Sequence, residues 1–188
     1  MADELGRFAA RLAHFDPTAL IRLKDGWAWG RLPWDVVVGI RHEAADEHDH
    51  VINATSLEKR PDTEWRIALP PGKERVVEVI PAVVIKSAAA AAAQTLREVA
   101  SGGLQARAVG QRAIRDALLD HVVISGRSDA DGSEFEVSQR LVQAIVRMRL
   151  LEGDNVGVLV AGPWTGLGTA LGSAWHRTSS PLMVRPLR

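Results

Sequence analysis

The stretch ALIRLKDGWAWGRLPWDVVVGIR, residues 19–41, decides the fold class. Ala19–Leu23 and Trp27–Leu32 are short β-like runs on either side of Lys24-Asp25-Gly26. Asp-Gly at such a junction is a strong hairpin signal, because both turn residues tolerate positive φ. Val36–Arg41 is a third strand-like run. Before the hairpin, Leu5, Phe8, Ala9, Leu12 and Phe15 recur at helical spacing, so the chain opens with an amphipathic helix that stops ahead of Pro17. After it come Val51–Leu57 and Glu64–Leu69, then Arg75–Ile80 following the Pro70-Pro71-Gly72 turn. Six β-like runs with no helix between them predict an antiparallel meander.

The pattern changes at Pro81. Val83–Ala100 contains six consecutive alanines, Ala88–Ala93, the strongest helix formers, and Gly102-Gly103 ends it. Gln111–His121 and Glu136–Leu151 read as further helices, Val122–Ser125, Val156–Val160 and Leu182–Arg185 as strands, and Gly126–Ser133 as a polar loop. The glycine-rich stretch over 162–177 fits no element, and no internal repeat is legible. The expectation is one α+β domain over residues 1–188, sheet-rich in 1–80 and helix-rich in 81–188. Its antiparallel sheet of five to six strands is packed by helices on one face.

Composition narrows the chemistry. The 188 residues carry 23 basic and 23 acidic side chains, and the balance holds locally, at net −3 for residues 1–57 and +2 for 58–125. Nucleic-acid and anionic-membrane binders need a basic field, so neither partner is expected. The absence of cysteine removes disulfides, thiolate metal sites and cysteine nucleophiles, and the absence of tyrosine removes phenol chemistry. Charges at Asp3, Glu4, Arg7 and Arg11 interrupt any secretory core, and Pro81–Ala93 is too short to span a bilayer. These features, with arginine and alanine in excess, point to a cytoplasmic bacterial protein.

Two places could carry function. The run HEAADEHDH, His42–His50, gathers three of the six histidines with four carboxylates. On a strand entering Val51, His48 and His50 share a face. With His42 and Glu43 they form a nitrogen-and-oxygen donor set for a divalent metal; a solvated turn has the same composition. The second place is WAWGRLPW, where Trp27, Trp29 and Arg31 share one strand face and Trp34 follows. Such a face serves as a core surface beneath the first helix, as a dimer interface, or as a platform for a planar ligand.

Other motifs fail on spacing. Gly166, Gly168 and Gly172 lack the acidic residue and the remaining βαβ chain of a dinucleotide site, and mark bends or close packing beside Trp164 and Trp175. Gln111–His121, Glu136–Leu151 and Val156–Val160 are ordered like a winged helix-turn-helix, but Leu104–Val160 carries 7 basic and 8 acidic residues. No G-x-S-x-G or H-E-x-x-H occurs, and no cofactor is implied. The sequence reading is therefore a non-catalytic protein-interaction or regulatory module that self-associates. The alternatives are a metal-binding protein or metal-dependent enzyme built on His42–His50, and a small-ligand-binding domain.

Overall fold

Strands β1 (Leu20–Lys24), β2 (Trp27–Leu32) and β3 (Val36–Arg41) form where residues 19–41 place them, in a computed structural model that describes residues 2–42, 49–101, 115–128 and 132–177. Asp25 and Gly26 both take positive φ, 51° and 73°, which matches the twist of a tight hairpin. Helix α1 (Ala2–Phe15) precedes them, with Phe8, Ala9 and Leu12 buried. The remaining strands are β4 (His50–Asn53), β5 (Lys59–Arg60), β6 (Arg75–Pro81), β7 (Val122–Arg127), β8 (Glu134–Ser138), β9 (Asn155–Ala161), β10 (Trp164–Thr169) and β11 (Gly172–Arg177). Helices α2 (Ala82–Ser101), α3 (115–120) and α4 (Gln139–Arg147) and a 3-10 turn at Asp62–Glu64 complete the described elements.

The sheet is larger than expected. Nine strands run in the order β5-β4-β1-β2-β3-β11-β10-β9-β6, all antiparallel, with β7 and β8 forming a separate hairpin. The difference arises in the glycine-rich stretch 162–177, which contains β10 and β11. Glycines at Gly166 and Gly168 mask the strand pattern in sequence because their positions are occupied by neighbouring side chains. The part beyond residue 81 therefore holds five described strands beside its helices.

The order is also not a meander. β4 returns to pair with β1, and β6 lies at the far edge beside β9. Two units with the same spatial arrangement result, although β4 follows β3 in the chain and β6 precedes α4. In one, α1 leads into β1-β2-β3 with β4 outside β1; in the other, α4 leads into β9-β10-β11 with β6 outside β9. The units join where β3 and β11 pair, Val38 opposite Ala174.

Two expected elements change type. Glu64–Leu69 is not a strand of the sheet. It belongs to a strap, residues 61–74, running from β5 at one edge to β6 at the other. Eight interstrand spacings amount to about 38 Å, which the strap covers with a reach of about 42–46 Å, its 3-10 turn at Asp62–Glu64 included. Trp65, Ile67 and Leu69 point inward and Arg66 and Ala68 outward. That period of two comes from lying extended on a sheet rather than from belonging to one. In Glu136–Leu151, the first residues belong to β8, where Phe135 and Val137 alternate inward, and the helix begins only at Gln139. Among the described residues β7 and β8 stand between α3 and α4, where a helix-turn-helix has a turn.

Strand alternation gives the sheet two apolar sides. One cluster joins Ile21, Ala28, Leu32, Val38, Val158, Leu167 and Ala174 to Phe8 and Leu12 of α1 and to Leu141, Val142 and Ile145 of α4. Leu12 fills the space above Gly30, where a Cβ has no room. Burying one such leucine stabilises the fold by about 2–5 kcal/mol relative to alanine. Among its described side chains helix α2 buries Ala82, Ile85 and Ala89, and it packs mainly on α4 and the β6 edge. The helices thus do not form a uniform layer over one face. The second cluster, on the opposite side, contains Trp29, Val37, Val51, Trp65, Ala161, Trp164 and Trp175, and its cover is the strap.

Candidate functional site

On the strap side, bulky indoles lie on glycine backbone. Trp29 on β2 pairs with Gly39 on β3, and Trp175 on β11 pairs with Gly166 on β10. In each case a Cβ on the glycine would sit 2.6 Å from the indole Cε3. The Trp175 Nε1–H donates to Ser173 Oγ at 2.9 Å, and the Trp65 Nε1–H donates to the Ile67 carbonyl at 2.7 Å. Both indole donors are therefore satisfied where water is excluded. The close packing read at Gly166 beside Trp175 is present.

The three residues expected to share a face, Trp27, Trp29 and Arg31, do so, but not beneath α1. The strand residues beneath α1 are those between them, Ala28, Gly30 and Leu32. Trp29 is buried, 8% exposed, while Trp27 is half-buried. Trp27 stacks on Trp29 with ring centres 5.0 Å apart, and the Arg41 guanidinium lies 4.3 Å from the Trp27 ring centre. Arg31 points to the other side of the strap and pairs with Asp35 at 2.7 Å. Trp34 belongs to the helix side. It meets Phe15 edge-on at 5.3 Å, and its Nε1–H donates to the Arg140 carbonyl. Arg140 Nη1 in turn donates to the Trp34 carbonyl at 2.6 Å.

The strap divides its side of the sheet into two clefts. The larger, about 940 Å³, lies between Pro70-Pro71-Gly72 and the wall of Trp27, Trp29 and Arg41. Arg22 and Lys24 also line it. Arg22 makes two 2.7 Å bonds to the Asp49 carboxylate and Lys24 a third contact at 3.2 Å. The hydrogen bond from Arg22, seconded by Lys24, holds the Asp49 carboxyl below its ordinary pKa, against the opposing effect of burial. The smaller cleft, about 650 Å³, is lined by Arg31, Arg66 and Arg177 with Trp164.

Of the metal candidates, His48 and Glu43 lie outside the described residues. His42 donates its backbone N–H to the Gly26 carbonyl at 2.9 Å, and His50 opens β4 opposite Leu23. Among the described residues no group of three or more histidines and carboxylates is placed to hold a metal ion.

A third feature has no counterpart in the sequence reading. β6 is the outermost strand on its side, and Val76, Val79, Val83 and Val84 of β6 and early α2 are 56%, 54%, 65% and 41% exposed. The Glu78 carboxylate accepts the Val79 backbone N–H at 2.9 Å, and the ladder to β9 is irregular between Val76 and Glu78. The run RVVEVIP reads as a strand from sequence; that it is an edge follows only from the strand order.

A family model described as Domain of unknown function (DUF8185) matches residues 69–181, more than half of the chain. The chain belongs to this family. The DUF8185 match begins at the end of the strap and covers β6 through β11. No curated protein matches the sequence. Among solved structures, the crystal structure of the DNA polymerase III beta subunit from Thermotoga maritima is similar, with a TM-score of 0.50 and 12% identity over 93% of this chain. This chain spans 61% of the length of that one. At such identity the likeness is one of fold. No helix among the described residues is long and apolar enough to cross a membrane.

Proposed function

We propose that this chain is a cytoplasmic, single-domain, non-catalytic interaction module that self-associates through the β6 edge and the first turn of α2. The observation that carries the reading is the group of four exposed valines, Val76, Val79, Val83 and Val84. Exposed apolar side chains at an unpaired sheet edge favour a partner. A second copy is the occupant supported by charge. The chain has no net charge to hold copies apart, and Arg75 and Glu78 give the edge both signs, which a two-fold axis sets against each other. The tryptophan face is not the interface in this reading, because Trp29, Trp65, Trp164 and Trp175 are already covered within one chain.

Light scattering after size exclusion tests this. A two-chain particle is expected at tens of micromolar, and a Val79→Ser/Val83→Ser variant with unchanged circular dichroism is expected to run as one chain. A wild-type protein that stays monomeric over that range overturns the reading.

A further inference from the structure

We propose that the larger cleft beside the strap binds a small planar monoanion, with its ring against the Pro70-Pro71 wall and the edge of Trp27, and its anionic group on Arg41. Three observations converge on that chemistry. The first is size, since about 940 Å³ lies at the upper end of the roughly 300–1,000 Å³ typical of small-molecule sites.

The second is the state of Arg41. Arg22 and Lys24 answer Asp49, whereas Arg41 makes no ion pair or hydrogen bond among the described residues. Its guanidinium rests on the Trp27 ring, which orients the planar group, and among the described residues its edge N–H donors meet no acceptor. A carboxylate or sulfonate engages those donors as a charge-assisted pair. The third is the mixed lining. Trp27, Leu69, Pro70 and Pro71 supply apolar surface, and Gly157 keeps the floor flat, its would-be Cβ having nothing nearer than 3.7 Å. The exposed acids Asp25 and Glu74 also line the cleft. They oppose a polyanion, and so select one charge carried on an apolar body.

Titration calorimetry with 2-naphthoate, its neutral analogue 2-naphthamide and inorganic phosphate tests the proposal on the full chain. The expected result is saturable binding of 2-naphthoate, at least about tenfold tighter than 2-naphthamide, and none of phosphate. Arg41→Gln, an exposed position, is expected to abolish the preference for the anion while near-UV circular dichroism stays unchanged. Trp27→Leu is expected to weaken both naphthyl probes. Absence of saturable 2-naphthoate binding, an anion preference that survives Arg41→Gln, or phosphate binding as tightly as 2-naphthoate each overturns it.

Discussion

The indole of Trp175 lies on the backbone of Gly166, its directly paired residue across β10 and β11, with Cε3 2.6 Å from where a Cβ would stand. A rigid ring pinned by its own hydrogen bond to Ser173 cannot yield as a flexible chain end does. Gly166→Ala is expected to cost about 1–3 kcal/mol in urea unfolding, with a changed near-UV spectrum. Gly6→Ala is the contrast, because nothing lies within 4 Å of its Cβ position in α1. It should add about 0.5–1 kcal/mol.

Arg140 ties α4 to the turn after β2 through the Trp34 carbonyl and reaches Asp120 at 2.6 Å. Its side chain is 16% exposed, that of Asp120 62%. Arg140→Met should therefore cost about 2–3 kcal/mol, whereas Asp120→Ala, removing a solvent-screened partner, should cost under about 1 kcal/mol. Equal losses in paired denaturation curves would contradict this asymmetry.

Just past α4 and its C-cap Met148, Arg149 takes φ 53°, its N–H bonding the Val146 carbonyl and the Leu150 N–H the Ile145 carbonyl. This pattern of bonds favours glycine at the left-handed position. Arg149→Gly is expected to raise stability by up to about 1 kcal/mol, seen as a higher melting temperature.

Burial lowers the His176 pKa from 6.5, assisted by Arg140 and opposed by Asp35 and Asp120. The folded state thus binds its proton less readily than the unfolded chain. The resulting stability is complete above about pH 6.5 and is lost as pH falls through the lower folded value. Asp49 and Asp120, whose carboxyls are held down chiefly by hydrogen bonds from Arg22 and Arg140, lose their contributions further into acid. Stability measured by urea titration should fall as pH drops from 7 towards 5, and His176→Gln should flatten that limb.

The Glu78 carboxylate occupies the Val79 N–H on the outer strand. A charge at that place discourages open-ended strand addition. Glu78→Ala should lower the temperature at which light scattering rises on heating, with secondary structure at 20 °C unchanged; an unaltered onset would remove this role from Glu78.

Residues 19–41 were legible because their signals are local: the Asp-Gly turn and the alternation of Trp27, Trp29 and Arg31 depend on neighbours in the chain. β10 and β11 were not, because Gly166 and Gly168 are small only on account of Trp175 and Leu159, which reach them across strand pairs. Glu64–Leu69 carried a genuine period of two whose cause was the sheet beneath it. Arg41 gave no signal either, since its place over Trp27 arises from the register of β2 and β3. The two metal candidates His48 and Glu43 lie outside the described residues, so the His42–His50 reading stands as the sequence made it.

By itself, then, the sequence determined an α+β chain with an opening helix and hairpin, no thiol or phenol side chains, and balanced charge. Tertiary structure alone decided the nine-strand order, the strap that covers the tryptophans, and which valines stand at an edge. The reason is that turn chemistry and alternation act over a few residues. Strand order, by contrast, depends on pairings between residues as distant as Val38 and Ala174, which no local pattern encodes.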